Sequence, residues 1–392
     1  MNNKSSNSNI NIDYTLVGII VLLGATSLFT LYSIAPFLPA KYDNSHFLLK
    51  QAIWYVVGGG FIALIMLIDY DRFKQLTWWI YGFGIILLLM LFFRFPGPLI
   101  IEANDAVSWL KFPILGTLQP SEIMKVILVL SNAHVIDNHH QKYMKQTLKS
   151  DIWLIIKIAL VTMLPAGLVA VEPDLGGFLV LSAISGAMIL VSGVQWKIIL
   201  PIITAAALAI GSIVTAYYLI PDKLSAFFEQ SVFNHVASRF YGWMDPEKYL
   251  DSGYQLILAM QAIGSGELFG KGMSHLQVNV PERHTDMIFT GISEQFGFIG
   301  ASFVIALFFL MIYRLIYIAI QSNDRYGSYL VTGLIGMFSY QIFQNIGMSI
   351  QILPITGLPL PFLSYGGSST LTYLVAIGIA LNVYSRTRKF MF

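Results

Sequence analysis

The chain has 392 residues, 56% of them hydrophobic and 11% charged, with a mean hydropathy of +0.68. A soluble domain carries about 25% charged residues, so this composition excludes an ordinary soluble enzyme and predicts an all-α polytopic membrane protein. A net charge of +2 without a basic tract gives no reason to expect a nucleic-acid partner, and the lack of cysteine excludes disulfides and thiolate metal sites.

Residues 1–13 are polar, carry no cleavable signal pattern and read as a short tail. Crossing a bilayer core takes roughly 20 apolar residues in a helix. On that measure 14–36, 51–68 and 75–93 are spans one to three, the second ended by Asp69 and Asp71. A long connection, 94–119, contains Pro96, Pro98 and Pro113. The fourth span, 120–136, is short and opens on Pro120, which is tolerated in a first turn. Residues 152–171, 176–193 and 197–220 follow as spans five to seven, and 221–286 is polar enough for a large loop. Span eight, 287–320, is too long for one simple crossing, so its first part is expected to lie shallow or in a cavity. Pro354, Pro359 and Pro361 divide the last apolar stretch into spans nine (328–350) and ten (367–386), a total of ten, and 14–392 reads as one membrane domain.

An even count puts both termini on one side. Lys4, Arg72, Lys74, Lys142, Lys145, Lys149, Lys197, Arg325, Arg386, Arg388 and Lys389 then share that side, which the positive-inside rule makes the cytoplasm. The 221–286 loop is therefore expected outside, with both termini inside.

An ionisable group within a span costs about 2.5–3.5 kcal/mol on insertion scales, which makes it a functional candidate. The outer half collects several. "QPSEIMK" places Glu122 and Lys125 three residues apart, either as a self-neutralising pair or as part of a site. "EPDLGG" sets Glu172 and Asp174 in a turn, and "PERHTD" gives Glu282, Arg283, His284 and Asp286, with Glu294 two turns on. Together they predict one polar cavity open outward. The plain alternative for Asp286 is a helix N-cap. Lys157 reads as a snorkelling or paired residue, and His139 and His140 as solvated. "QAIGSGELFGKG" (261–272) is either a set of turns or a close backbone approach to a ligand, with Lys271 near a phosphate. "LPITGLPLPFLSYGGSS" (353–369) cannot be helical throughout, which at this depth requires burial in protein or a cavity.

These stretches, with "GYQLILAMQAIGSGELFGKG" (253–272) and "PERHTDMIFTGISEQFGFIG" (281–300), resemble the SEDS family of FtsW- and RodA-type membrane proteins, in family order and over nearly the whole chain. The short termini look more like the RodA branch. The resemblance implies a peptidoglycan glycosyltransferase that polymerises lipid II at the outer face of the bacterial cytoplasmic membrane. It would work for elongation or division with a class B penicillin-binding protein, among membrane lipids and undecaprenyl-pyrophosphate-linked glycan. The family's essential aspartate matches Asp286. Two places depart from the family: Asp105 and Ser108 in "NDAVSW" (104–109), and Glu172 where glutamine is usual. Both changes remove positive charge or add negative charge.

An α-linked donor giving a β product requires inversion, hence a base and a stabilised leaving group. Asp286 is the expected base. Lys125, Arg239, Lys271 and Arg283 are the cations available to the pyrophosphate, with Glu122 positioning Lys125. Asp174, Glu282, His284, Ser364 and Ser368 complete the expected substrate-binding set. A divalent cation, Mg or Mn, would also serve, although no spacing demonstrates a metal site. A lipid II flippase and a non-catalytic scaffold for a transpeptidase are the rival readings. Gly333 and Gly336 of span nine either receive the partner's transmembrane helix or pack within the bundle.

Overall fold

The computed structural model describes residues 11–38, 44–103, 106–112, 116–172, 174–229 and 234–387. Lys4, Asp105, Pro113, Arg388 and Lys389 lie outside the described residues, as does most of the 1–13 tail. Each of the ten expected segments coincides with a helix: α1 (Tyr14–Ile34), α2 (Asn44–Leu67), α3 (Tyr70–Phe92), α4 (Pro120–Lys142), α5 (Leu148–Val171), α6 (Leu175–Val191), α7 (Trp196–Leu219), α11 (Ile288–Gln321), α12 (Arg325–Ser349) and α13 (Gly367–Thr387). The 221–286 segment is more ordered than a plain loop. It holds three helices, α8 (Pro221–Glu229), α9 (Asn234–Met244) and α10 (Leu250–Ser265).

Among the described residues, seven helices are long and apolar enough to cross a membrane, namely α1, α2, α3, α5, α7, α11 and α13; α6 is apolar but shorter. The polar content of α4 and α12 follows from their place at the centre. In α12, Gln341 donates to Tyr373 Oη at 2.9 Å and Gln344 to the Pro354 carbonyl at 2.9 Å. In α4, Asn132 donates to Ser185 Oγ at 2.9 Å. A helix wrapped by others can satisfy such groups internally, whereas a lipid-facing helix has no partner for them. By contrast α7 buries only Ile199 and lies at the margin.

The connection 94–119 contains what the sequence reading missed, an antiparallel sheet of β1 (Ile100–Ala103), β2 (Ala106–Phe112) and β3 (Gly116–Leu118) in the order β1-β2-β3. Leu110 of β2 faces Ile100 on one side and Leu118 on the other, and buries itself against Leu87 and Leu91 of α3. The sheet thus roofs the end of α3 and leads directly into α4.

At the opposite end of the bundle, ion pairs and hydrogen bonds tie the helix ends together. Asp13 caps α1 and pairs with Arg314 of α11 at 2.6 Å, and Arg386 pairs with Asp69 at 2.8 Å. Lys74 bonds Asp137, and Tyr70 bonds Asp324. His139, expected to be solvated, is buried against the Tyr143 ring, with centroids 4.6 Å apart.

Candidate functional site

The glycine-rich stretch after α10 approaches α11, not a ligand. Gly297 has φ 60 and ψ −157, which breaks the helix. This region is essentially open to glycine alone, and a Cβ on Gly297 would lie 2.4 Å from the Gly270 nitrogen. The turn 267–272 fills the break. Lys271 and Gly272 donate their amides to the Glu294 and Gln295 carbonyls at 3.0 Å each, and Phe298 donates to the Glu267 carbonyl at 2.9 Å. Backbone bonds that α11 loses are therefore restored by another segment. The length of span eight has the same explanation: its first part is a packed, buried piece ahead of the break.

Glu294 lies on that piece and is fully buried. Its Oε1 accepts from Lys271 Nζ at 2.8 Å and from the amides of Gln277 and Val278 at 2.8 and 3.1 Å. Its Oε2 accepts from Arg283 Nη2 at 2.8 Å. Burial draws Arg283 below its ordinary value and Glu294 opposes the shift. Two of the four expected pyrophosphate cations, Lys271 and Arg283, are thus already paired inside the protein. Sequence reasoning noticed Glu294 but gave it no partner.

The turn that follows carries Asp286 to a half-buried position. It is not the N-cap of α11; that place is held by Met287, without a side-chain bond. The backbone around Asp286 is firmly held. Asn345 Nδ2 donates to the Asp286 carbonyl at 2.6 Å and to the Leu358 carbonyl at 2.7 Å. The Tyr365 amide donates to the His284 carbonyl at 2.8 Å, and Ser364 Oγ donates to the Thr285 carbonyl. The Asp286 side chain, by contrast, forms no ion pair among the described residues; it accepts from Thr285 Oγ1 at 3.1 Å and from its own backbone amide, and the Thr285 hydroxyl also lies 3.3 Å from Glu282 Oε2. Burial is the main cause that pushes the Asp286 carboxyl up to about 6; the bonds from its own amide and from Thr285 oppose the rise, Glu282 adds to it, and Arg239 opposes it. Arg239 of α9 is only lightly held, donating to the Ile355 carbonyl at 3.4 Å. His284 is buried between Phe47 and Tyr365, at centroid distances of 5.7 and 6.1 Å.

A second corner forms where α4 and α6 begin. Asp174 caps α6 through the Gly177 amide at 2.7 Å and accepts from Ser121 Oγ at 3.1 Å. Ser368 joins β3 to α13, accepting from the Gln119 amide at 3.1 Å and donating to the Thr117 carbonyl at 2.9 Å. Lys125, fully buried, pairs with Glu122 at 2.6 Å. Glu172 is buried nearby, and burial first, then Asp174, pushes its carboxyl up to about 8. It is therefore mainly neutral at pH 7 and resembles the glutamine usual at that position, so this departure does not add a full negative charge. The 353–369 segment joins the two corners. A Cβ on Gly176 would meet Leu358 at 2.7 Å, while Gly357, at φ +74, would bring one to 3.8 Å from Asp286 Oδ2.

Gly333 and Gly336 face inward. A Cβ on Gly333 would lie 2.7 Å from Val129 of α4 and 2.9 Å from Met188 of α6, and one on Gly336 would lie 2.5 Å from Ala187 of α6. The internal-packing reading of these glycines is the correct one, because the face is already occupied.

The fold and site define a multi-pass helical membrane protein with ionisable groups at both ends of the bundle, those around Asp286, Glu294 and Asp174 being gathered at one of them. The family model described as "Cell cycle protein", covering FtsW, RodA and SpoVE, matches residues 13–389, and the chain belongs to that family. It is 31% identical over 384 residues to "Stage V sporulation protein E" of Bacillus subtilis, covering 95% of this chain and 98% of that protein. It is also 31% identical over 389 residues to "Probable peptidoglycan glycosyltransferase FtsW" of the same organism, covering 96% and 93%. A chain from a solved peptidoglycan synthase complex, described as coordinating polymerization and crosslinking, shares the fold with a TM-score of 0.76 at 23% identity, covering 98% of this chain and all of that one.

Proposed function

We propose that this chain is a peptidoglycan glycosyltransferase that polymerises lipid II, with Asp286 as the general base. The observation that carries the assignment is the contrast at Asp286: its backbone is fixed by Asn345 and the 353–369 segment, while its carboxylate forms no ion pair among the described residues and has a raised pKa of about 6. A base must be positioned, yet free to accept a proton near the working pH. Asp286 takes the proton of the acceptor sugar's 4-hydroxyl. That oxygen attacks the anomeric carbon of the donor, and the pyrophosphate departs with the bonding electrons in one inverting displacement.

Arg239 is the cation we assign to the leaving phosphate, since Lys271 and Arg283 serve Glu294 and Lys125 is buried on Glu122. Among the described residues no group of three or more His, Asp or Glu is placed to hold a metal ion by protein ligands alone; a divalent cation, Mg or Mn, held by the substrate phosphates would need only one or two carboxylates. By the positive-inside rule we assign the Asp286 end to the outside of the cytoplasmic membrane, with ten spans, one membrane domain and both termini cytoplasmic. The fold shared with a chain of a synthase complex supports a transpeptidase partner of the class B penicillin-binding type.

The test is polymerisation of purified lipid II by the purified protein, with and without its partner. Wild type forms glycan and Asp286→Ala forms none while eluting as a folded monodisperse species. Polymer from the mutant at near wild-type rate refutes the assignment.

A further inference from the structure

At the end of the bundle opposite Asp286, Lys157 lies within the apolar helix α5, about 13 Å along its axis from the start. Its ammonium group reaches back toward the α4–α5 connection, to 3.3 Å from His139 Nδ1, 5.8 Å from the Tyr143 ring centroid and 5.6 Å from that of Trp153. Lys142 Nζ sits 5.9 Å from the same Tyr143 ring. Two ammonium groups therefore share one aromatic platform. Arg314, Arg386 and Lys74 at this end each have a carboxylate partner. Among the described residues Lys142 and Lys157 have none. The nearby Asp151 is committed elsewhere, accepting from the Gln195 amide at 3.2 Å and from its side chain at 3.1 Å.

Uncompensated cations held at a membrane boundary call for an anion. The surface beside them says which kind. Trp153, Lys157, Leu160 and Leu164 follow helical spacing down one face of α5, and the three apolar members are 45%, 67% and 50% exposed. A free phosphate would use the lysines and leave that stripe uncovered. A phospholipid would use both, with its headgroup on the ammonium groups and an acyl chain along the stripe. We propose that this corner is a binding site for an anionic phospholipid, its phosphate bridging Lys142 and Lys157 against Tyr143 and Trp153. Basic pockets at helix ends are a recurrent means of binding such headgroups, and Lys stems reaching toward a boundary keep the charge solvated. Lys145 and Lys149 are exposed on the adjoining chain and add to the local positive field.

The test uses the full chain in a neutral detergent, titrated with phosphatidylglycerol, phosphatidylcholine or inorganic phosphate. Bound lipid is counted by native mass spectrometry, and melting temperature is followed in parallel. Phosphatidylglycerol is expected to bind in preference to phosphatidylcholine and to raise the melting temperature. Lys142→Gln and Lys157→Gln should each cut that preference about fivefold, without changing the lipid-free melting temperature. If Lys157→Gln is not recovered as a monodisperse protein, Lys142→Glu, at an exposed position, must lower the preference by itself. Equal binding of the two lipids overturns the proposal, as does an undiminished preference in the variants. Stabilisation by inorganic phosphate equal to that by phosphatidylglycerol would also overturn it, because the site would then take a soluble anion.

Discussion

Replacing Glu294 by glutamine is the most direct way to ask how the site is held. The carboxylate meets four donors: Lys271, Arg283 and the amides of Gln277 and Val278. Glutamine keeps one acceptor oxygen for the amides and Lys271, but it removes the negative charge from both cations and turns an NH2 group toward Arg283. Arg283 is 5% exposed and Lys271 15%, so neither charge can simply return to water. Removing one partner of a buried ion pair costs about 3–5 kcal/mol. The loss falls on the 271–286 segment, whose local opening should become about 10²–10⁴ times more frequent. Hydrogen exchange by mass spectrometry reads this directly in peptides covering 273–286, and polymerisation should fall with it, because Asp286 lies three residues beyond Arg283. Changing Lys271, Arg283 and Glu294 together to methionine should restore much of the protection, since an apolar replacement of a whole buried ionic group is often nearly neutral. Exchange in Glu294→Gln within threefold of wild type would refute the reasoning and return Lys271 and Arg283 to the substrate.

Other consequences can be checked separately. The polymerisation rate should fall as pH drops through about 6, because protonated Asp286 cannot act as a base; a rate unchanged down to pH 5 contradicts the raised pKa. Gly297→Ala forces a Cβ against the Gly270 nitrogen at positive φ, so it should cost about 2–6 kcal/mol and lower the melting temperature. Gly333→Leu with Gly336→Leu should also lower the melting temperature of the isolated protein, since both side chains would enter the α4–α6 contact; an unchanged value with lost co-purification of the transpeptidase would indicate a docking face instead.

Hydropathy located the ten principal helices from largely apolar runs, although among the described residues only seven of these helices are long and apolar enough to cross a membrane and α4 and α12 are the polar, central ones. The same measure was blind to the β1–β3 sheet, whose proline-bearing connection has no clear strand pattern. It also could not assign partners. Arg283 and Lys271 lie 11 and 23 residues from Glu294 in sequence, and only the insertion of the 267–272 turn into the break at Gly297 brings all three together. Spacing showed that Gly333 and Gly336 share a face but could not say what meets it. Glu172 appeared as an added charge because sequence alone does not reveal burial.

The 353–369 segment explains why these details matter for chemistry. It is not helical at a depth where backbone groups need partners, and side chains from several helices supply them. Ser27 of α1 donates to the Leu363 carbonyl at 2.7 Å, Tyr55 of α2 to the Phe362 carbonyl, and Asn345 of α12 to the Leu358 carbonyl at 2.7 Å. The segment is thus fixed by the core, and through Asn345, Ser364 and Tyr365 it fixes residues 284–286 in turn. The position of Asp286 is inherited from the packed bundle. The ionic groups around Glu294 brace the same turn from the other side. Strong interactions hold the backbone, and the carboxylate itself is left without an ionic partner among the described residues, which lets a single aspartate remain both well placed and chemically available.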